Sequence, residues 1–249
     1  MNPTPYYILS VTGAAVTLIT AVIFTRLRRT ISAADICFML FYGLVGCLIG
    51  SKLLYFIICV DNAWLSELSF TENTDRLCTM IMSGGFIFYG GLAGALVGMI
   101  IYCKRFKLPV SESLNTAAPL LPLFHTFGRI GCFTAGCCHG IKYDGLLSVT
   151  YKSSPAAPNN IPLFPVQLFE AAGNAALFII LTVLLFRKNN RNLLALYFIS
   201  YGTMRFILEF FRGDDIRGHF LFLSTSQWIS IAAISTGIFL IAKNKREAS

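Results

Sequence analysis

The chain has 249 residues, of which 55% are hydrophobic and only 13% are charged, and its formal net charge is +8. Charged residues make up about a quarter of an ordinary soluble domain, so this composition excludes that class and indicates a polytopic membrane protein. Most of the positive charge flanks apolar segments, and we therefore predict no binding of nucleic acid.

Stretches of about 20 residues with little or no charge predict the transmembrane helices. The fourth stretch (113–135) and the sixth (193–211) are interrupted by arginine, and the fifth (166–186) begins beside Glu170. The predicted fold is therefore all-α, with about seven transmembrane helices in a single membrane domain over residues 1–249. The predicted spans cover roughly residues 5–25, 36–60, 80–103, 113–135, 166–186, 193–211 and 220–242.

The distribution of Lys and Arg predicts the orientation, because short cytoplasmic connections are enriched in both. The segments that follow the odd-numbered spans are strongly basic, whereas the opposite side mixes both signs. We therefore predict an external N-terminus, a cytoplasmic C-terminus and external loops at about 61–80 and 139–165. The second loop is rich in Pro, Ser and Asn, which is typical of irregular structure, and it either gates a site or is a solvated connector.

Ionisable residues also lie within or at the edge of the apolar spans, although a charge at bilayer depth costs at least about 2.5–3.5 kcal/mol. Most of them are cations, which favours an anionic ligand such as a phospholipid head group. The alternative is structural pairing, as a spacing of four residues on one helix would allow. The residues are Lys52, Arg129, Arg205, Glu209 and Arg212.

The sixth span has the most readable geometry. Tyr201, Arg205, Glu209 and Arg212 fall on one face within about a quarter-turn of an ideal helix. Guanidinium groups match phosphate oxygens bidentately, so the stripe predicts a phosphate clamp in which Glu209 orients or competes for Arg205. An interfacial charge stripe is the alternative interpretation.

A glycine- and cysteine-rich segment follows Arg129. Gly128, Gly131, Gly136 and Gly140 predict a backbone that leaves helical geometry and closes around a ligand. Zinc favours thiolate and imidazole ligands, but structural zinc sites usually contain repeated Cys-x-x-Cys pairs. We therefore predict no metal site and favour an external disulfide between two of three cysteines, namely Cys132, Cys137 and Cys138.

Two further patterns have simple structural interpretations. Gln167 and Glu170 lie one turn apart where the fifth span begins, and by themselves they indicate ordinary capping of a helix N-terminus. Glycines at intervals of four residues on the second and third spans, such as Gly46 and Gly94, predict close helix packing.

Taken in order, these segments resemble the bacterial prolipoprotein diacylglyceryl transferase family. The resemblance covers roughly residues 36–235, and the predicted topology agrees with that of the family. The matching segments are Gly50-Ser51-Lys52-Leu53-Leu54-Tyr55, Gly84-Gly85 through Tyr89-Gly90-Gly91, Gly128-Arg129-Ile130-Gly131-Cys132-Phe133, Pro165-Val166-Gln167-Leu168-Phe169-Glu170, Tyr201-Gly202-Thr203-Met204-Arg205-Phe206 with Glu209 and Arg212, and Leu223-Ser224-Thr225-Ser226-Gln227.

The resemblance implies an enzyme of the bacterial plasma membrane with its active site towards the outer leaflet. It would transfer the diacylglyceryl group of phosphatidylglycerol to the thiol of a lipobox cysteine in prolipoproteins, releasing glycerol phosphate. Its partners would be phosphatidylglycerol, the signal peptide of a prolipoprotein and membrane lipids. No cofactor and no metal are expected.

The resemblance also assigns roles to individual residues. Arg129, Arg205 and Tyr89 would be catalytic, with the two arginines holding the leaving phosphate. Substrate-binding roles would fall to Tyr201, Glu209, Arg212, Gln167, Glu170, Lys52 and Cys132.

The chain departs from the family pattern at three positions. Cys132 stands for Asn, Cys137 for Glu and Tyr89 for His, and a tyrosine with its ordinary pKa near 10 is a poor base. His125 or His139 could replace that base. The departures leave two alternatives: a related lipid transferase that uses the same phospholipid clamp on a different acceptor, or a non-catalytic anionic-lipid-binding or transport protein. The absence of an internal repeat argues against a transporter.

Overall fold

The computed structural model describes residues 4–59, 88–154, 156–187, 192–213, 219–220 and 222–246. Within these ranges the chain is mainly helical, with two short two-stranded sheets. The predicted loop at 61–80 and the start of the third predicted span lie outside the described residues. The elements are α1 (Thr4–Arg28), α2 (Ala33–Cys59), α3 (Phe88–Arg105), α4 (Val110–Ala117), α5 (Leu120–Ala135), β1 (Val149–Thr150), β2 (Pro162–Leu163), α6 (Val166–Phe186), α7 (Leu193–Glu209), β3 (His219–Phe220), β4 (Leu223–Ser224) and α8 (Thr225–Arg246).

Four helices of the described chain are long and apolar enough to cross a membrane: Pro5–Arg28, Ala33–Ile57, Val166–Phe186 and Thr225–Arg246. They coincide with the first, second, fifth and last predicted spans. The chain is therefore a helical, polytopic membrane protein. The other predicted spans also contain helices, but a total of seven spans and the orientation of the termini stay predictions.

The fourth predicted span is divided into α4 and α5 at Pro119. Proline lacks the amide hydrogen that continues a helical ladder, and its ring disfavours helical geometry in the residue before it. As a result α5, which carries Arg129 and Cys132, is only 16 residues long.

The chain divides into two compact units, one formed by Ile31–Ser113 and the other by Met1–Thr30 with Leu114–Ser249. In the unit Ile31–Ser113, α2 packs against α3. Gly46 and Gly94 lie at this contact, where a Cβ on either glycine would overlap the carbonyl of the other. The packing role predicted for these glycines is therefore confirmed, whereas the single membrane domain stays a prediction.

The larger unit is a succession of packed helices. Helix α1 packs on α5, α5 on α6, α6 on α7, and α7 on α8. Large apolar side chains such as Val11, Ile179 and Phe239 are exposed, at 69%, 60% and 65%. Such a surface would be an association site in water, but it fits a hydrocarbon solvent. The polar side chains Glu170 and Arg205 are buried instead.

The segment at 139–165 is more ordered than the composition predicted. Strands β1 and β2 pair antiparallel, with Val149 opposite Leu163. The side chains of Tyr151, Ala157 and Leu163 form a small apolar cluster against Phe133 of α5. The prediction of irregular structure is therefore wrong for the strands, because their apolar residues gain a surface to pack against only once the chain folds back on α5.

Candidate active site

Glu170 lies at the centre of a buried ion-pair network. It is 1% exposed, and its Oε1 is 2.9 Å from Nη2 of Arg129 while its Oε2 is 3.8 Å from Nη1 of Arg205. The hydroxyl of Tyr201 donates a hydrogen bond of 3.4 Å to the same Oε1. The capping interpretation of Glu170 is wrong, because this carboxylate holds two arginines from two other helices.

A second carboxylate extends the network along α7. Arg205, which is 2% exposed, pairs through Nη2 with Glu209 on the next turn. Glu209 Oε2 is also 3.9 Å from Nε of Arg212. The structural pairing left open by the sequence is therefore present. Both carboxylates form ion pairs with the arginines that were predicted to form the phosphate clamp.

The helical-wheel prediction for the sixth span holds only in part. Tyr201, Arg205 and Glu209 belong to α7, but the helix ends at Glu209. Arg212 lies beyond this end and forms an isolated antiparallel bridge with Gly140. The backbone of the glycine- and cysteine-rich segment, not a continuing helix, thus helps to position Arg212.

Serines near the start of α8 complete the polar surroundings of the network. Ser226 Oγ accepts a hydrogen bond of 3.3 Å from Nη2 of Arg205, and Ser224 Oγ donates one of 3.0 Å to Glu209 Oε1. Sequence reasoning assigned neither serine a role, although both lie in the Leu223–Gln227 motif that the family resemblance included. Serine at the start of a helix is ordinarily explained by capping, so the sequence alone does not indicate a role in the network.

His125 is a third residue that the structure adds to the network. Its ring centroid is 5.1 Å from that of Tyr201, and it interacts electrostatically with Arg129, Glu170 and Arg205. Of the two histidines proposed as replacements for a base, His125 is therefore the one inside the network. The other, His139, has its Nδ1 3.0 Å from the carbonyl oxygen of Gly140.

Among the described residues, the network contains more cations than anions. Three guanidinium groups, from Arg129, Arg205 and Arg212, face the two carboxylates of Glu170 and Glu209. Buried charges are normally compensated, and the described part of the network has three guanidinium groups for two carboxylates. Nη1 of Arg205 also has no hydrogen-bond acceptor among the described residues. Both features fit an anion with oxygen acceptors.

The cysteine-rich turn begins where α5 ends. Gly136 adopts a left-handed conformation, with φ of 75°, and its amide donates to the carbonyl of Phe133. Cys138 is also left-handed, with φ of 57°. Two such residues so close together reverse the chain. The thiols of Cys137 and Cys138 are thereby brought back to the thiol of Cys132.

The three thiols form a compact cluster, with the sulfur atoms all within 4.8 Å of one another. No disulfide joins them, so the disulfide favoured from the sequence is not formed in this structure. Hydrogen bonds with the Cys132 and Cys137 thiols, assisted by the charges of Arg212 and Arg129, hold the pKa of the Cys138 thiol below its ordinary value, although burial opposes them. The cluster therefore borders the arginine network.

The segment at 139–165 stabilises this turn from the other side. The hydroxyl of Tyr151 donates to the carbonyl of Phe133 at 3.0 Å, and Ser154 Oγ donates to the carbonyl of Ala135 at 3.2 Å. Gln167, which is 1% exposed, donates from Nε2 to the carbonyl of Cys137 at 2.9 Å. Gln167 thus holds the cysteine turn in place, and its predicted contact with substrate stays a prediction.

Two of the predicted site residues belong to the smaller unit. Lys52 lies on α2, and Tyr89 lies in the first turn of α3, where its side chain is outside the described part of the chain. Their predicted roles stay predictions. The other predicted site residues, which lie in the larger unit, form or border the arginine network.

Comparison with known proteins now decides the family. A profile of the family described as prolipoprotein diacylglyceryl transferase matches residues 4–243. The chain belongs to this family. The resemblance inferred from the ordered motifs is therefore confirmed over nearly the whole sequence.

Named relatives support the same family. The phosphatidylglycerol–prolipoprotein diacylglyceryl transferase of Clostridium tetani is 36% identical over 203 residues, which cover 81% of this chain and 78% of the relative. A Clostridium perfringens protein named phosphatidylglycerol–prolipoprotein diacylglyceryl transferase 2 is 33% identical over 201 residues, covering 80% and 74%. The transferase of Cupriavidus metallidurans is 33% identical over 215 residues, covering 84% and 75%.

Proposed function

We propose that this chain is a transferase that moves the diacylglyceryl group of phosphatidylglycerol to the thiol of a lipobox cysteine in prolipoproteins. Glycerol phosphate is the other product. The relatives carry the name of this activity. The observation that carries the proposal is the buried network that three arginines and two carboxylates form among the described residues, in which Nη1 of Arg205 has no hydrogen-bond acceptor.

The chemistry explains how guanidinium groups at this position would promote the reaction. The acceptor thiolate attacks the glyceryl carbon that bears the phosphate, a sulfur–carbon bond forms and the carbon–oxygen bond breaks. The electron pair of the broken bond leaves on the phosphate oxygen, so the phosphate gains one further negative charge. Cations that are already in place therefore stabilise the transition state more than the bound phospholipid, which is the condition for catalysis.

The residues of the network contribute in different ways to stabilising the leaving phosphate. Arg129 and Arg205 hold the leaving phosphate, and Arg212 adds a third cation at its edge. Glu170 and Glu209 fix the guanidinium groups through the ion pairs described above, so that little reorganisation is needed during the reaction. Tyr201 orients Glu170 through its hydroxyl.

Membership of the family supports the remaining parts of this proposal. The family resemblance gives Tyr89 a catalytic role and Lys52 a substrate-binding role, and Cys132 and Gln167 belong to the acceptor side of the site. The protein lies in the bacterial plasma membrane, with seven spans, an external N-terminus and the active site towards the outer leaflet. Membrane lipids surround it, and the signal peptide of a prolipoprotein is its partner.

A second candidate differs only in the acceptor. Two members of the three-cysteine cluster, Cys132 and Cys137, stand where the family pattern has Asn and Glu. The arginines proposed to hold the phospholipid are therefore retained, whereas the residues proposed to face the acceptor are changed. A related transferase with another thiol or hydroxyl acceptor would have this combination. The deciding observation is therefore which acceptor is modified.

The experiment uses the purified protein in phosphatidylglycerol vesicles. Three acceptors are compared: a lipobox peptide, the same peptide with its cysteine changed to serine, and a small thiol without a peptide. The proposal predicts release of glycerol phosphate and a diacylglyceryl mass increment only with the cysteine peptide. Release with another acceptor alone would replace the first candidate by the second, and binding without release would contradict both.

A further inference from the structure

The Cys132, Cys137 and Cys138 cluster has the geometry of a metal site. Its sulfur atoms all lie within 4.8 Å of one another. Zinc–sulfur bonds are about 2.3 Å long, so tetrahedral thiolates around zinc are separated by roughly 3.8 Å. Small rotations of the three side chains would close that difference. No fourth ligand atom from a described His, Cys, Asp or Glu joins the cluster.

The surroundings of the cluster fit three thiolates with a divalent metal. Such a complex carries one net negative charge. Arg129 interacts electrostatically with Cys132 and Cys138, and Arg212 interacts with Cys138. The turn is also held in shape without a metal, since the carbonyl of Cys137 accepts from Gln167 and that of Phe133 accepts from Tyr151. The ligands are therefore preorganised beside cations that offset their charge.

We propose that Cys132, Cys137 and Cys138 bind one Zn²⁺ ion, whose fourth coordination position takes the acceptor cysteine as a thiolate. Three protein ligands with one open position distinguish catalytic from structural zinc sites. The inference rests on the proposed function for the identity of the acceptor. It replaces the sequence-based expectation of a disulfide and of no metal.

The zinc site would activate the acceptor thiol, a task for which the chain lacks the usual base of the family pattern. The reaction needs a thiolate, because the thiolate and not the thiol is the nucleophile. A thiol that coordinates zinc is deprotonated outright, so the metal performs the task of the base for which Tyr89 is poorly suited. Cys132 and Cys137, which stand where the family pattern has Asn and Glu, then form one metal site together with Cys138.

The step balances without a further reagent. The acceptor thiol binds zinc and releases its proton to water. The bound sulfur attacks the glyceryl carbon, the sulfur–carbon bond forms, and the carbon–oxygen bond breaks with its electron pair on the phosphate held by the arginines. The product is a thioether, a weaker ligand than a thiolate, and it leaves the metal. Zinc is neither oxidised nor reduced.

The first test needs no turnover. The full-length protein is purified in detergent, reduced, freed of metal and titrated with Co²⁺, which reports thiolate ligands through a sulfur-to-metal charge-transfer band. We expect one Co²⁺ per chain with this band and competition by Zn²⁺. Absence of the band from the wild type, with its thiols counted as reduced, would overturn the proposal whatever the variants do.

Variants locate the site. Cys132→Ser, Cys137→Ser and Cys138→Ser should each weaken the band, whereas Cys37→Ser on α2 serves as the matched control and should leave it unchanged. Adding the lipobox peptide should shift the band of the wild type, and the serine peptide should not. A band that survives in all three site variants, or that ignores the cysteine peptide, contradicts the proposal.

Turnover separates this inference from the proposed function. Metal-free protein should lose activity by about 10²-fold or more, the range of a lost proton-transfer group, and Zn²⁺ should restore it. Full activity without metal would overturn the zinc role and leave the transferase function intact. A peptide-responsive cobalt band in a protein that never transfers the lipid would leave the metal site intact and overturn the function.

Discussion

Replacement of Arg205 tests whether the arginine network acts on substrate or only stabilises the fold. Arg205 is 2% exposed and contacts Glu209, Ser226 and, at 3.8 Å, Glu170. Removing one partner of a buried ion pair typically costs about 3–5 kcal/mol of stability. Losing one donor to a developing oxyanion typically lowers kcat about 10²–10³-fold. Arg205→Ala should show both losses.

A double variant separates the two effects. In Arg205→Ala with Glu209→Gln the carboxylate that lost its partner is neutral, so part of the lost stability should return. The return is incomplete because Arg212, which lies 3.9 Å from Glu209, loses that ion pair. Glu170 should keep its ion pair with Arg129, in which the two side chains are 2.9 Å apart in the unaltered protein. Turnover should not return, because the phosphate still lacks its guanidinium group.

The assay follows glycerol phosphate release in phosphatidylglycerol vesicles, with thermal unfolding measured on the same preparations. Arg187→Ala is the matched control, since Arg187 is an exposed arginine just after α6 and its replacement should change neither quantity. Turnover at the wild-type rate in the double variant would refute the reasoning. It would show that Arg205 matters only as a partner of Glu209.

Three further predictions concern the stability of the fold. Gly136→Ala should lower the free energy of unfolding by about 1–2 kcal/mol, because φ is 75° there and left-handed geometry is costly for a residue with a Cβ. The control is Gly128→Ala, whose Cβ would meet nothing within 4 Å. Gly94→Ala should destabilise the contact of α2 with α3, since its Cβ would lie 2.8 Å from a backbone carbonyl carbon. In the control Gly43→Ala, the Cβ would lie 3.1 Å from a methionine side chain and no closer than 3.5 Å to a backbone atom. Burial raises the pKa of Tyr151 to about 12, above the ordinary value of about 10, so this residue stabilises the fold below pH 10 and its contribution is lost as the pH rises towards 12.

Unfolding measurements in detergent check all three. Equal stability of the two alanine variants at 136 and 128 would contradict the assigned left-handed turn. A Gly94→Ala variant as stable as Gly43→Ala would contradict the close approach of the two helices. Tyr151→Phe should flatten the alkaline fall in stability, and an unchanged pH profile would show that this hydroxyl does not contribute to it.

The sequence predicted the membrane class and the members of the network better than it predicted their connections. The apolar spans and the cations within them were visible because both are extreme in composition. The central position of Glu170 was not, because a glutamate in the first turns of a helix is also explained by the dipole. Its pairing with Arg129 depends on the packing of α5 against α6, which sequence spacing does not specify.

The cysteine cluster shows the same limit. The spacing of Cys132 and Cys137 is unlike that of familiar zinc motifs, and the sequence therefore favoured a disulfide. Two left-handed residues, Gly136 and Cys138, close the turn and gather the thiols. The glycines of this segment predicted a departure from helical geometry, which occurs at Gly136 but not at Gly128 or Gly131, because both lie within α5. Nothing in the sequence indicated that a cysteine would adopt the second left-handed position.

Complementation tests the central claim most directly. The chain is expressed in a bacterium depleted of its own diacylglyceryl transferase, with Arg129→Ala as the inactive control and immunoblots to confirm membrane insertion of both. The account predicts that only the unaltered chain restores growth, with diacylglyceryl-modified lipoprotein identified by mass spectrometry. Failure of a well-inserted, unaltered chain to modify any lipoprotein would contradict it.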